Sequence, residues 1–287
     1  MSNPARTVRS KGRWWHIGVT SVVLAVLIIP LLATFLFSIS TVWQNTILPD
    51  GLTLEWYGRL FSDERFLYAI GRSFLVSAVT VVISLAIMVP AIFVVVLYFP
   101  GLEKMLQSVV LLPFALPGVV TAVGLIKIYS SGPIAISGTI WILIGAYFIV
   151  IMPYVYQSTR NSLRSIHAAQ LMEAAEVLGA GKVKAFVFVI LPNIMPGMMV
   201  ASLLSFSILF SEFVLANMLV GGSYEVVQVY LHRMLATDGH MSSAIVFTFF
   251  VIISLLFALV LRIGRGKSRK MNATSATPAD NEGGVTA

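Results

Sequence analysis

The chain contains no cysteine. That one absence removes disulfide staples, thiolate metal sites and cysteine nucleophiles together. Charge is scarce as well: Asp, Glu, Lys and Arg make up 11% of 287 residues against 58% hydrophobic, too little polar surface to cover a soluble domain of this length. The histidines are few, and His16, His167, His232 and His240 show none of the paired spacing that a metal site requires. A phosphate-binding loop is missing too. Gly264-Arg-Gly266-Lys267-Ser268 ends like one, but Leu261 stands where the leading glycine belongs, and in Gly179-Ala-Gly181-Lys182 that place is taken by Glu176. With no nucleotide site, no nucleophile–base pair and no ligand cluster, the sequence predicts a chain that is not an enzyme and needs neither cofactor nor metal. Any ATP-driven work requires a separate polypeptide.

What the chain does have is long apolar runs. Its mean hydropathy of +0.92 marks an integral membrane protein, and six stretches can cross ~30 Å of hydrocarbon as helices: 17–39, 67–98, 105–128, 139–159, 197–220 and 241–263. The predicted fold is therefore an all-α, polytopic membrane protein of six transmembrane helices. It divides into a cytoplasmic amino-terminal segment (1–16), a membrane domain (17–263) and a disordered cytoplasmic tail (264–287). The first run is longer than the ~7–15 apolar residues of a cleavable signal, so it is read as an uncleaved span. Pro90 is expected to kink the over-long second span or to mark where it turns irregular. In the third, Pro113 and Pro117 with Gly118 remove backbone hydrogen bonds, which membrane helices tolerate where protein or a water-lined cavity replaces them.

The basic residues set the orientation. With the amino terminus inside, Arg6, Arg9, Lys11, Arg13, Lys104, Arg160, Arg164, Lys182, Lys184, Arg262, Arg265, Lys267, Arg269 and Lys270 fall on the cytoplasmic side, while Arg59, Arg65, Arg72, Lys127 and Arg233 do not. This positive-inside bias predicts that both termini and the polar loop after the fourth span are cytoplasmic. It also accounts for most of the net charge of +7, so nucleic-acid binding is not expected.

That polar loop, about 160–196, carries a pattern. Apolar and small positions from Leu163 through Ile166, Leu171, Ala174, Val177 and Leu178 recur at three- and four-residue steps, with Gln170 the flaw in the stripe. Gly179 and Gly181 supply freedom for a sharp turn, and Val183, Phe186, Val187 and Ile190 restart the period before Pro192 interrupts it. The sequence thus predicts two short helices at an angle. Periodicity alone would equally suit an amphipathic connector lying on the membrane surface.

Glu212 stands out differently, about two-thirds of the way along the fifth span, where a carboxylate is costly unless it faces a cavity or a partner. It could face a transport pathway, or it could be bonded to a neighbouring hydroxyl or paired with a base such as Lys127. Ser205, Ser207, Ser211 and Asn217 add a polar stripe consistent with either.

The run EAAEVLGAGKVKAFVFVILP, residues 173–192, resembles the EAA loop of permeases of binding-protein-dependent ABC importers. Glu173, Ala174, Ala175, Leu178, Gly179, Val189, Leu191 and Pro192 fall in register with it, Val189 standing where isoleucine is usual. The resemblance implies that Glu173, Ala174, Ala175, Leu178, Gly179, Leu191 and Pro192 couple to an ATPase, with a short helix inserted into a groove of that subunit. It further implies two ATP-binding subunits, a second permease subunit (a paralogue or an identical copy), an external solute-binding protein and a bacterial inner-membrane location. Glu212, Ser211, Asn217 and Lys127 are the candidates for the translocation pathway. The outer loops at 40–66 and 221–239 would meet the binding protein. Residues 205–231 look most like the polyamine (spermidine and putrescine) branch, and aminoalkylphosphonate and ferric-iron permeases share much of that pattern. A secondary transporter or channel, the alternative of another class, would require an internal inverted repeat and paired intramembrane charges, and the sequence has neither.

Overall fold

The structure is a computed structural model and describes residues 8–43 and 49–274. The described chain is built of helices α1 (Val8–Ser38), α2 (Glu55–Ser62), α3 (Glu64–Tyr98), α4 (Pro100–Ala115), α5 (Gly118–Tyr129), α6 (Ile140–Ser165), α7 (Ala168–Val177), α8 (Lys182–Ala185), α9 (Leu191–Phe210), α10 (Val214–Leu219), α11 (Val227–Leu235) and α12 (Gly239–Thr274). A π-helical turn, Phe186–Ile190, joins α8 to α9. Among the described residues, five helices are each long and apolar enough to span a membrane, and α4 and α5, bent sharply at their break, reach that length and apolarity only as a pair, which gives six spans if the pair counts as one.

The boundaries differ from expectation in several places. Pro90 does not end α3, which runs unbroken to Tyr98. The third span, in contrast, is broken by 101° between α4 and α5. Pro117 has no N–H to give and pushes its predecessor out of the helical region, and Leu116 is indeed extended (φ −107°, ψ 124°). The fifth apolar run stops being helical at Phe210 and resumes only at Val214. Finally, α12 continues past Ile263 to Thr274, where a disordered tail is expected; extending an existing helix adds one hydrogen bond per residue, and Lys and Arg are good helix formers. The remaining tail, 275–287, lies outside the described residues.

The described residues fall into two compact units. One holds residues within Met1–Tyr68 and Tyr230–Val251. In it the apolar window of α1 has none of its residues buried. The carboxy-terminal end of α1 is fastened by polar and ring contacts: Trp56 Nε1 donates to the Ser40 carbonyl at 2.8 Å, Ser38 Oγ and Tyr57 Oη lie 2.7 Å apart, and His240 stacks between Phe37 and Trp56. Burial pushes the Tyr57 hydroxyl above its usual range, partly offset by Ser38. Asp63 caps α3 by accepting the Arg65 N–H at 2.8 Å and also accepts a hydrogen bond from the Tyr230 hydroxyl at 2.6 Å.

The other unit holds residues within Ala69–Val229 and Ile252–Ala287. Helices in lipid gain little hydrophobic free energy by meeting, so close packing and small residues must hold them. The α6–α9 pair shows how. Ser158 Oγ donates to the Gly197 carbonyl at 2.9 Å, and a Cβ on Gly197 would overlap Ser162 Oγ. On α6, Leu143, Tyr147, Ile151, Val155 and Thr159 recur on one buried face. On α3 a buried hydroxyl row, Ser73, Ser77, Thr80 and Ser84, follows the same spacing.

Candidate functional site

The polar loop is built by two chain reversals. The first is at His167, which adopts left-handed φ 51° between α6 and α7. This resets the helical phase, so the stripe expected from Leu163 onward does not run through. The buried face of α7 is Ala168, Met172 and Ala175, while Ala174, Val177 and Leu178 point outward. The second reversal is at Gly179, at φ 85°. There Gly179 N–H donates to the Glu176 carbonyl and Ala180 N–H to the Ala175 carbonyl, both at 2.9 Å, the paired bonds of a Schellman cap, which needs a left-handed residue and hence glycine.

The second arm is not the separate short helix the sequence suggested. Lys182–Phe210 forms one helix continuous with the fifth span, and Pro192 sits in its first α-turn after the π segment without interrupting it. The π turn provides the reason: Leu191 N–H reaches back five residues to the Phe186 carbonyl, and Asn193 Nδ2 donates to the Val189 carbonyl at 2.7 Å. The widened turn absorbs a residue that has no N–H.

Among the expected coupling residues, Glu173, Ala174, Leu178, Gly179 and Pro192 are exposed, Leu191 is half-buried and Ala175 is buried. The loop presents a bare apolar face: Val177 and Leu178 are 87% and 86% exposed, with Val183 and Phe188 almost as bare at 77% and 76%. Val177 and Leu178 lie at the head of the hairpin, whereas Val183 and Phe188 fall within Lys182–Phe210, a stretch long and apolar enough to cross a membrane.

The second group lies at the broken spans. Glu212 sits in the interruption between α9 and α10, and its carboxylate caps α10: Oε1 accepts the Leu215 N–H at 2.9 Å and Oε2 the Ala216 N–H at 3.0 Å. Among the described residues the carboxylate has neither the hydroxyl partner nor the Lys127 pairing considered above. Among the described residues Lys127 makes no ion pair, and it is exposed. Ser211 Oγ donates to the Ser207 carbonyl at 2.8 Å, and Asn217 is exposed. The Tyr147 hydroxyl reaches the Glu212 carbonyl at 3.5 Å. A Cβ at Gly118, the first residue of α5, would lie 3.5 Å from Val214, the first of α10. The break between α4 and α5 and the interruption between α9 and α10 therefore meet where α5 and α10 begin.

Sequence reasoning missed one cluster. Glu103, on the first turns of α4, accepts from Arg160 Nε and from Arg164 Nη2, the latter at 2.8 Å. Arg160 and Arg164 lie one turn apart at the end of α6, a spacing visible in the sequence, but their acid comes from 57 residues earlier in the chain.

The described chain is thus a polytopic helical membrane protein with an exposed helical hairpin on one loop and one pair of apolar helices bent sharply at a break. Residues 71–269 match the family described as binding-protein-dependent transport system inner membrane component, and the chain belongs to that family: it is a permease subunit of an ABC importer. Among its relatives, a Salmonella typhimurium protein named as a 2-aminoethylphosphonate transport system permease, PhnV, is 27% identical over 83% of this chain and 88% of the relative. The spermidine/putrescine transport system permease PotC of Haemophilus influenzae is 26% identical over 74% and 82%, and that of Escherichia coli 22% over 90% and 97%. Two solved structures share the fold. A bacterial ABC transporter involved in alginate import superposes with TM-score 0.72 at 16% identity, covering 90% of this chain and 96% of that one. The MetNI methionine ABC transporter, in inward-facing form, gives 0.55 at 17% identity, covering 71% and 98%.

Proposed function

We propose that this permease subunit receives a small amine-bearing solute from an external binding protein and passes it to the cytoplasm, driven by two separate ATP-binding subunits, one of which docks on its 173–192 loop. The observation that carries the reading is the bare apolar face of Val177, Leu178, Val183 and Phe188 around the Gly179 reversal. A hairpin that offered these groups only to water would forgo roughly 1.5–3 kcal/mol for each large side chain left unburied. Glu173, Ala174, Ala175, Leu178, Gly179, Leu191 and Pro192 form or support that docking face, and both termini lie with it in the cytoplasm. The membrane path is completed by a second permease subunit, an identical copy or a paralogue. Ser211, Asn217 and Lys127 line it at the broken spans, and Glu212 shapes it by holding the start of α10. ATP-driven closure of the ATPases moves the docked loop and tips the spans between inward- and outward-facing states.

The solute class rests on the relatives. 2-Aminoethylphosphonate, spermidine and putrescine, the solutes in their names, share a primary ammonium on a short alkyl chain.

The test is uptake of labelled spermidine and of labelled 2-aminoethylphosphonate, each in turn, by cells carrying the native chain or Gly179→Val with its neighbouring transport subunits. A β-branched residue at φ 85° is strained although no atom of the chain crowds it. The native chain is expected to take up one of the two solutes. Gly179→Val is expected to reach the membrane, lose uptake and release the ATPase or uncouple its hydrolysis. Full uptake by Gly179→Val with the ATPase retained would make the loop a mere surface connector, and uptake of neither solute would overturn the amine assignment.

A further inference from the structure

The end of α6 that leads toward the 173–192 loop and the loop's own outgoing arm are gripped by the same short stretch of chain. Helices α3 and α4 are joined by one residue, Phe99, after which Pro100 opens α4. Just before that joint, the Tyr98 ring lies under Lys182 Nζ at 4.9 Å, and Phe93 packs on Phe186 at 4.5 Å between centroids. These contacts hold the outgoing arm, α8 and the π turn. Just after the joint, Glu103 receives Arg160 and Arg164 at the end of α6, which holds the incoming arm. The Glu103 side chain is only 14% exposed, so the pair is screened less than a surface ion pair. A one-residue joint with a proline behind it has little slack. Beyond the joint α4 runs 16 residues, about 24 Å, to the 101° break at which α5 begins, against Val214 of α10.

We propose that the α3–α4 joint, through Tyr98 and Glu103, is a second coupling element that carries movement of the ATPase-docking loop along α4 to the broken spans. The proposal rests on that loop being the ATPase-docking site. Because α6 and α9 are locked together at Gly197, the two arms move as one body, and whatever is tied to both follows them. Glu103 and Tyr98 are positioning residues. They touch no solute, and their removal should leave ATPase docking in place while weakening what docking does.

The cysteine-free chain makes a clean reporter possible. Leu116→Cys places a single thiol at the break, at a position 54% exposed. In the assembled complex, its rate of labelling by a membrane-impermeant maleimide is measured with and without ATP. The rate is expected to depend on ATP in the otherwise native chain. Glu103→Gln, and more so Glu103→Gln with Tyr98→Leu, should shrink that dependence by between about twofold and thirtyfold, the span for positions along a coupled network, with the ATPase still co-purifying. Glu103→Arg and Arg160→Glu should each fail alone and restore the dependence when combined, a rescue that loss of stability alone would not produce. An undiminished response to ATP in Glu103→Gln overturns the proposal. So does the absence of any response in the native background with ATPase bound, or failure of the combined reversal together with lost complex yield. If no ATPase co-purifies with the native chain, the docking reading itself has failed, and this is seen before any variant is compared.

Discussion

Leu178→Ala separates docking from folding more sharply than any other change in the loop. The side chain is 86% exposed in the chain, so its truncation should alter the stability of the permease itself by less than about 0.5 kcal/mol. If the ATPase buries it fully, truncation removes about three methylene equivalents at roughly 0.8 kcal/mol each, about 2.4 kcal/mol of docking free energy. At 1.4 kcal/mol per decade, that weakens docking by about 50-fold. The control lies six residues earlier, on α7 itself. Met172 is 4% exposed, and Met172→Ala should cost about 2–5 kcal/mol of the subunit's own stability. The assay is titration of the purified ATPase against permease in lipid nanodiscs, alongside thermal melts of the permease alone. The expected pattern is a normal melt with weak docking for Leu178→Ala, and a lowered melt for Met172→Ala. Docking of Leu178→Ala within twofold of native would refute the argument that this apolar face is the contact surface.

Two further changes test the rest of the arrangement. Each carboxylate oxygen of Glu212 accepts one N–H of α10; Gln keeps one acceptor and Ala none, so Glu212→Gln and Glu212→Ala should lower the stability of the complex progressively, by about 1 and about 2 kcal/mol. An unchanged melting temperature with lost uptake in Glu212→Gln would show instead that the carboxylate serves the solute. For orientation, a cysteine at the exposed Gln170 should react with impermeant thiol reagents only in inverted vesicles, and labelling in intact cells would reverse the topology.

Membrane residence, the all-α fold with its long apolar spans and the position of the loop were legible in the sequence because each depends on local properties: apolar run length, and a glycine where the chain must reverse. The left-handed Gly179 is such a case, since no other residue takes that conformation at so little cost. Proline was less legible. Pro90 leaves α3 intact, Pro117 breaks its span, and Pro192 is absorbed by a π turn; the residue is the same each time, and the outcome depends on what satisfies the freed carbonyl and what packs on the bend. The exposed side of α7 was also hidden, because its phase is reset by the left-handed His167, which no periodicity reveals. Glu212 was conspicuous from its depth in an apolar run, but its role in capping α10 follows from where α9 stops. The Glu103–Arg160–Arg164 cluster was silent altogether. By itself the sequence determined that the chain crosses the membrane and where it turns, since both are settled within a few residues. Only the tertiary structure decided which side chains remain bare on the loop and which distant charges meet beneath it, because contacts between helices far apart in the chain leave no periodicity to read.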